Sequence, residues 1–304
     1  RSALGDAVIM STQKTLPEPI IRPEFINENI ALAHTGDVAV KLSVFEKIWN
    51  INGVRKAFIL LSLVAIWQAY TVLLDVEPLM FPTFLSALDR LVSDLVDGEL
   101  LAKVWFSVKV LVIGYATGMA IAAILVLWGT SSRLGGDFIS MATAMFNPLP
   151  SIAMLPLAML WFGLGTASLV FVLVHAVLWA VALNTHSGFK NVSSTLRMIG
   201  ENYGLKGVPF VVKILVPAAL PAIMTGMKVG WAFAWRTLIG AELVFGASSG
   251  GGGLGWYIFE SSQNIETEGV FAGLFMVILI GITVENLIFR NIELKTVSRW
   301  GMQR

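Results

Sequence analysis

Six stretches dominated by apolar residues, at 58–74, 104–128, 138–162, 167–184, 222–245 and 270–289, alternate with shorter charged segments. Each is close to the roughly 20 residues an apolar helix needs to cross a bilayer. They predict an all-α polytopic membrane fold with six transmembrane helices. The third stretch is interrupted by Pro148, Pro150 and Pro156. Proline removes a backbone donor, and inside a span this is tolerated only where neighbouring helices or water satisfy the freed carbonyls. Span three is therefore expected to be broken and interior. Between the first two spans, Phe84, Leu88, Leu91, Val92 and Leu95 recur at helical spacing among Ser86, Asp89, Arg90 and Asp94. This predicts a short amphipathic helix in the outer interface, capped by Thr83 and ended by Gly98. It either packs on its own bundle or also forms part of a docking surface for a substrate-delivery protein.

The charges between spans set an orientation. Lys41, Lys47, Arg55 and Lys56 precede the first span, which places the N-terminus in the cytoplasm by the positive-inside rule. The next loop is acidic, with Asp75, Glu77, Asp89, Asp94, Asp97 and Glu99 against Arg90 and Lys103. Arg133 returns inside, and so does an island from Lys190 to Lys213. Glu260, Glu266 and Glu268 mark an outer loop, and Arg290, Lys295, Arg299 and Arg304 an inner tail. The divisions expected are a cytoplasmic extension at 1–57, a membrane domain at 58–290 and a cytoplasmic tail at 291–304.

Composition agrees and excludes several classes. The chain of 304 residues is 56% hydrophobic and 13% charged, with a mean hydropathy of +0.76, outside the range of ordinary soluble domains. A net charge of +1 implies no polyanionic partner such as nucleic acid. Without cysteine there are no disulfides, thiolate metal sites or Cys nucleophiles. His34, His175 and His186 are too scattered for a metal cluster, and His175, mid-span among Val and Leu, reads as a hydrogen-bonded interior histidine or a ligand. The run from Gly250 to Gly253 lacks the Lys-Ser/Thr of a phosphate loop and reads as an outer turn. Residues 1–50 are mixed and polar and do not read as a signal peptide.

The island continues to residue 221 as RMIGENYGLKGVPFVVKILVPAALP from 197. Gly204 is followed ten positions later by Ile214 and then by Val216 and Pro217. This spacing resembles the signature loop of ABC-importer permeases: E-A-A, three residues, Gly, nine residues, Ile, one residue, Leu-Pro. Trp67, Pro78 to Pro82, Gly114, Gly118, PLPSIAMLPLAMLWFGLG at 148–165, Gly226 to Lys228, Trp235, Ala241 to Leu243 and Gly253 to Gly255 extend the likeness. They resemble landmarks of the permeases that import nitrate, taurine and other sulfonates. The family glutamate would fall at Met198, so it is absent here, and Glu201 stands three residues on.

The resemblance implies the membrane subunit of an ATP-driven importer with a type I permease fold, multi-pass in the bacterial inner membrane with both termini cytoplasmic. The loop at about 190–213 would be a coupling helix docked in a groove of a separate ATPase, using Glu201, Tyr203, Gly204, Leu205, Ile214 and Pro217, with Phe210 as a further apolar anchor. The chain has no G-x-x-x-x-G-K-[ST], so ATP and Mg would bind in that partner. The implied partners are two ATPases, a second permease subunit and an extracytoplasmic solute-binding protein. The subunit is non-catalytic. In span five, Lys228, Arg236 and Glu242 fall within an arc of about 120°, and with Trp235 and Pro150 they are the candidate substrate pathway for a small anion. The alternative is internal pairing, Lys228 with Glu285 and Arg236 with Glu242 or a helix C-terminus. An ion-gradient-driven transporter or channel is the rival function. It would need internal repeats and intramembrane acids, and Glu242 and Glu285 are the only acids in the spans.

Overall fold

The computed structural model describes residues 43–245 and 252–298. The extension before residue 43, Gly250, and the tail residues Arg299, Trp300 and Arg304 lie outside the described residues. Two compact units are present, 1–61 and 62–304. In the first, Ser43 and Glu46 form a capping box at the start of α1 (Val44–Trp49). Trp49 meets Phe58 edge to face at 5.1 Å, and α2 (Asn52–Leu73) begins there.

Every regular element among the described residues of the second unit is helical: α3 (Phe84–Val96), α4 (Glu99–Ser131), α5 (Arg133–Phe146), a 3₁₀ turn (Ser151–Met154), α6 (Leu155–Phe162), α7 (Thr166–Lys190), α8 (Ser194–Asn202), α9 (Val208–Phe210), α10 (Val216–Ala218), α11 (Leu220–Phe245), α12 (Leu254–Gln263), α13 (Thr267–Thr283) and α14 (Arg290–Glu293). Among the described residues four helices are long and apolar enough to cross a membrane, or up to six if each of two bent pairs is one span. The first bent pair, α5 with the segment Ser151–Phe162, turns through 91° at the Pro148–Pro150 break. Span three is thus broken as expected, and Ile139, Ala142, Leu155 and Ala158 on either side of the break are buried. At the break Phe146 to Pro150 are exposed on this chain and line a cavity, where water can satisfy their carbonyls.

The centre of the bundle is α7. In its most apolar window 56% of residues are buried, against 33% for α4 and 11% for the final span. Close approach on both sides depends on small residues, as is usual between helices in lipid. A Cβ at Gly114 would stand 2.6 Å from Leu173, and one at Gly118 2.8 Å from the Val177 Cβ. On the other flank a Cβ at Gly226 would meet Asn184 at 2.9 Å, and one at Gly188 would meet Ala222 at 2.6 Å. Gly118→Leu is expected to lower the melting temperature and yield in detergent, since overpacking a closed contact costs about 1–3 kcal/mol. Ile124→Ala, on an exposed face of the same helix, should change neither.

The outer helix α3 forms with the anticipated ends. The Thr83 side chain accepts from the Ser86 N–H, and Gly98 takes a left-handed conformation at φ 81°. It buries Ala87, Leu91 and Asp94, while Val92 faces out. Arg90 bridges Asp94 at 2.9 Å and Glu266 at 2.8 Å, and Tyr257 donates to Asp94. Burial, reinforced by that hydrogen bond, pushes the Tyr257 phenol above its usual range, so it stays a donor. Trp67 fixes the adjoining turn by donating to the Pro82 carbonyl at 3.0 Å. Its ring packs against Phe81, Phe84, Phe271 and Phe275.

Candidate functional site

The charged island folds as α8 followed by a second bent pair, in which the segment Val208–Ala218 meets α11 at 81°. Ser193 caps α8, its hydroxyl accepting from the Leu196 N–H at 3.4 Å. Arg197 turns back to donate to the Phe189 and Val192 carbonyls at the end of α7, where a cation also complements the helix dipole. The C-terminus of α8 is a Schellman turn. The Gly204 N–H donates to Glu201 at 2.8 Å and the Leu205 N–H to Gly200 at 3.0 Å, with Gly204 at φ 72°. A Cβ on Gly204 would meet nothing within 4 Å. Gly200 is the close-approach glycine: a Cβ there would lie 2.7 Å from Phe210 and 3.0 Å from Ile214.

The expected coupling residues therefore divide into two groups. Glu201, Tyr203 and Gly204 are exposed, Leu205 is half-buried, and Ile214 and Pro217 are half-buried in the segment after α8, Ile214 against Gly200. Phe210 is not a free anchor, because its ring is spent on Gly200. The apolar residues that α8 and its C-cap leave open are Leu196 (41% exposed), Met198 (54%), Ile199 (42%) and Tyr203 (82%). In the sequence Met198 stood only as the position of the absent glutamate, although Met198 and Ile199 are apolar residues inside a charged segment.

The five pathway candidates are dispersed. Lys228 pairs with Glu285 at 3.4 Å and Glu293 at 2.7 Å. Trp235 is buried and donates to the Val277 carbonyl at 3.3 Å. The Arg236–Glu242 pair is not formed. Six residues on a helix separate the two by about 120° around the axis and about 9 Å along it, and each side chain meets a different neighbour. Glu242 is 2% exposed, and both its oxygens lie 2.8 Å from Ser107 Oγ on α4. The Gly255 N–H also donates to it at 2.8 Å, and the Leu254 N–H donates to Ser107 at 2.8 Å. A Cβ at Gly253 would stand 2.1 Å from the carboxyl. The Ala241–Leu243 and Gly253–Gly255 landmarks are thus two halves of one joint, which holds the start of α12 against α11 and α4.

Arg236 and Pro150 do come together. They line a cavity of about 340 Å³ at the Pro148–Pro150 break, with Ser151, His175, Trp179 and Thr237. The Arg236 guanidinium lies 5.8 Å from the centroid of the Phe233 ring. His175 Nδ1 is 3.1 Å from Ser151 Oγ, so the hydrogen-bonded reading of this histidine holds for one nitrogen. Trp179 stacks on Phe146 at 5.0 Å. Two further cavities follow along α5 and α7 toward Lys190, of about 320 and 410 Å³. Among the described residues no group of three or more His, Asp or Glu is placed to hold a metal.

Residues 114–295 match the family described as "Binding-protein-dependent transport system inner membrane component". A protein of Escherichia coli (strain K12) named as an aliphatic sulfonates transport permease is 27% identical over 224 residues, 74% of this chain and 84% of that one. The taurine transport system permease protein of the same strain is 25% identical over 229 residues, 73% of this chain and 82% of its own length. The nitrate import permease protein of Synechocystis sp. (strain ATCC 27184 / PCC 6803 / Kazusa) is 23% identical over 192 residues, 63% of this chain and 68% of its own.

Proposed function

Because the chain belongs to the family of binding-protein-dependent transport inner membrane components, we propose that it is the permease subunit of an ATP-driven ABC importer for a small anion of the nitrate, taurine or sulfonate class. Six spans, counting each bent pair as one, cross the inner membrane with both ends in the cytoplasm. Two such subunits enclose the path, two cytoplasmic ATPases supply ATP with Mg, and an extracytoplasmic binding protein delivers the solute. Alternating access follows when closure of the ATPases draws the two coupling helices together.

The observation that carries this reading is α8. It is a capped helix, braced to α7 through Arg197 and to the following segment through Gly200. Met198, Ile199 and Tyr203 nonetheless remain open to a partner groove, in the manner of a helix docked into a hydrophobic cleft. Glu201, exposed three residues on, takes in this reading the polar contact that the family assigns to the residue now replaced by Met198. For the path we retain Arg236 and Pro150, which share a cavity, while Lys228, Trp235 and Glu242 brace helices. The ion-gradient rival is not favoured, since Glu242 and Glu285, its candidate carriers, both have partners.

The test is co-purification. An affinity-tagged chain from native membranes is expected to retain an ABC ATPase, with ATP hydrolysis in the eluate. Tyr203→Asp should release that ATPase while leaving the permease monodisperse on size exclusion, because a charge enters an apolar groove. A wild-type chain that retains no ATPase under mild detergent refutes the assignment.

A further inference from the structure

One face of α7 carries His175, Trp179, Leu183, His186 and Lys190. At 100° and 1.5 Å per residue they fall within about 80° of arc and about 22 Å of length. Three cavities follow this face. The first holds His175 and Trp179 with Arg236 of α11, the second Leu183, His186 and Lys190, and the third His186 and Lys190 with Arg133 and Arg197. The first and second share Asn147 and Pro148, and the second and third share His186 and Lys190, so the three are contiguous.

Two independent observations point to a ligand. The first is a set of buried polar atoms with no partner. His175 Nε2, Trp179 Nε1 and both ring nitrogens of His186 make no hydrogen bond, although these residues are only 9%, 9% and 7% exposed. Each such atom is destabilising when nothing polar reaches it. Among the described residues the one other such atom is Thr185 Oγ1, which lies off this face, so four of the five sit on the stripe that the cavities follow. The second is the sign of the charge. No carboxylate lines the first two cavities, and Asp137 is the one acid of the third. The cations are Arg236, Lys190, Arg133 and Arg197, of which Arg197 is committed to backbone carbonyls.

We propose that this face of α7 is the translocation track for an oxyanion, with one station at Arg236, Trp179 and His175 and a second at His186, Lys190 and Arg133. The proposal rests on the permease reading and deepens it, moving the path from the charged residues of α11 to the polar stripe of α7. At the first station a planar guanidinium can pair two oxygens of a sulfonate or nitrate, and the indole N–H is a donor without charge. His175 is oriented by Ser151 so that Nε2 is the free nitrogen. Each station offers few donors. The anion therefore enters on electrostatic attraction and leaves without a deep well to escape, as multi-site permeation requires.

The chain has no cysteine, so single thiols can be placed in the otherwise native, fully assembled transporter. Leu183→Cys and Ser187→Cys put a thiol in the middle cavity, and Ile124→Cys puts one on an exposed apolar face of α4. Each is treated with 2-sulfonatoethyl methanethiosulfonate, itself a small sulfonate, and with its trimethylammonio analogue. Every rate is divided by that of a free thiol with the same reagent. At positions 183 and 187 the sulfonate is expected to win by roughly tenfold, the enrichment of an anion in a cleft lined by one sign of charge. The Arg236→Gln, Lys190→Gln double variant should bring the ratio toward one, and Ile124→Cys should react with neither. Absence of reaction at 183 and 187, equal normalised rates, or a preference that survives the double variant would each overturn the track. ATPase co-purification is scored on the same preparations. A retained ATPase with no anion preference sinks the track alone, and a preference without an ATPase sinks the importer reading instead.

Discussion

Glu242→Ala is expected to lower the melting temperature of the detergent-solubilised permease by about 10 °C, while Glu242→Gln stays within a few degrees of wild type. Alanine leaves the Gly255 N–H without its acceptor, strips Ser107 of the carboxyl it donates to, and opens a void between α4, α11 and α12. Orphaned buried donors of this kind cost ~1–3 kcal/mol each, and a few kcal/mol is on the order of 10 °C for a chain of this size. Glutamine keeps one oxygen for Gly255 and presents an N–H₂ to Ser107 Oγ, so most of the joint survives. Gly255→Ala should resemble Glu242→Ala, because the new Cβ would stand 2.4 Å from the Ile239 carbonyl oxygen. The comparison also decides what Glu242 is for. Full stability with lost uptake in Glu242→Gln would return it to the substrate path, and an unchanged melting temperature in Glu242→Ala would remove it from the joint.

What the sequence disclosed and what it withheld follow from range. The caps of α3 at Thr83 and Gly98, and the break at Pro148 and Pro150, depend on neighbours a few residues away, and both are found where the pattern put them. The Arg236–Glu242 pairing failed because a helical arc of 120° says two groups share a side but not which neighbours they meet. The partner of Glu242 is Ser107, 135 residues away. The polar stripe of α7 was hidden for a similar reason. His175 and His186 are isolated among apolar residues, and only the shared spacing with Trp179 and Lys190 links them. The island offered its position through the interval from Gly204 to Pro217, but not the conformation that explains it. The glycine is needed for a left-handed φ, and the intimate packing belongs to Gly200 instead.

That distinction gives α8, the proposed coupling helix, a graded expectation. Gly204→Asn should retain most coupled ATP hydrolysis, since asparagine tolerates the left-handed region. Gly204→Ala should lose part of it, because a residue with a Cβ pays about 1–2 kcal/mol at such a φ and the Schellman turn that ends α8 loosens. Gly204→Arg bears the same backbone strain as alanine. Its Cβ points into open space in the isolated chain, so any loss beyond that of alanine has to come from a contact outside this polypeptide. The expected result is full loss of ATPase retention in a pull-down and of coupled hydrolysis, with the permease still monodisperse and near its normal melting temperature. If arginine and alanine behave alike, the glycine serves only the turn and the partner does not approach it. If arginine couples normally, α8 is not the docking helix. If arginine alone uncouples, the surface beside Tyr203 is where force from the ATPase enters the bundle, and Arg197 and Gly200 are the braces that carry it to α7 and to the segment before α11.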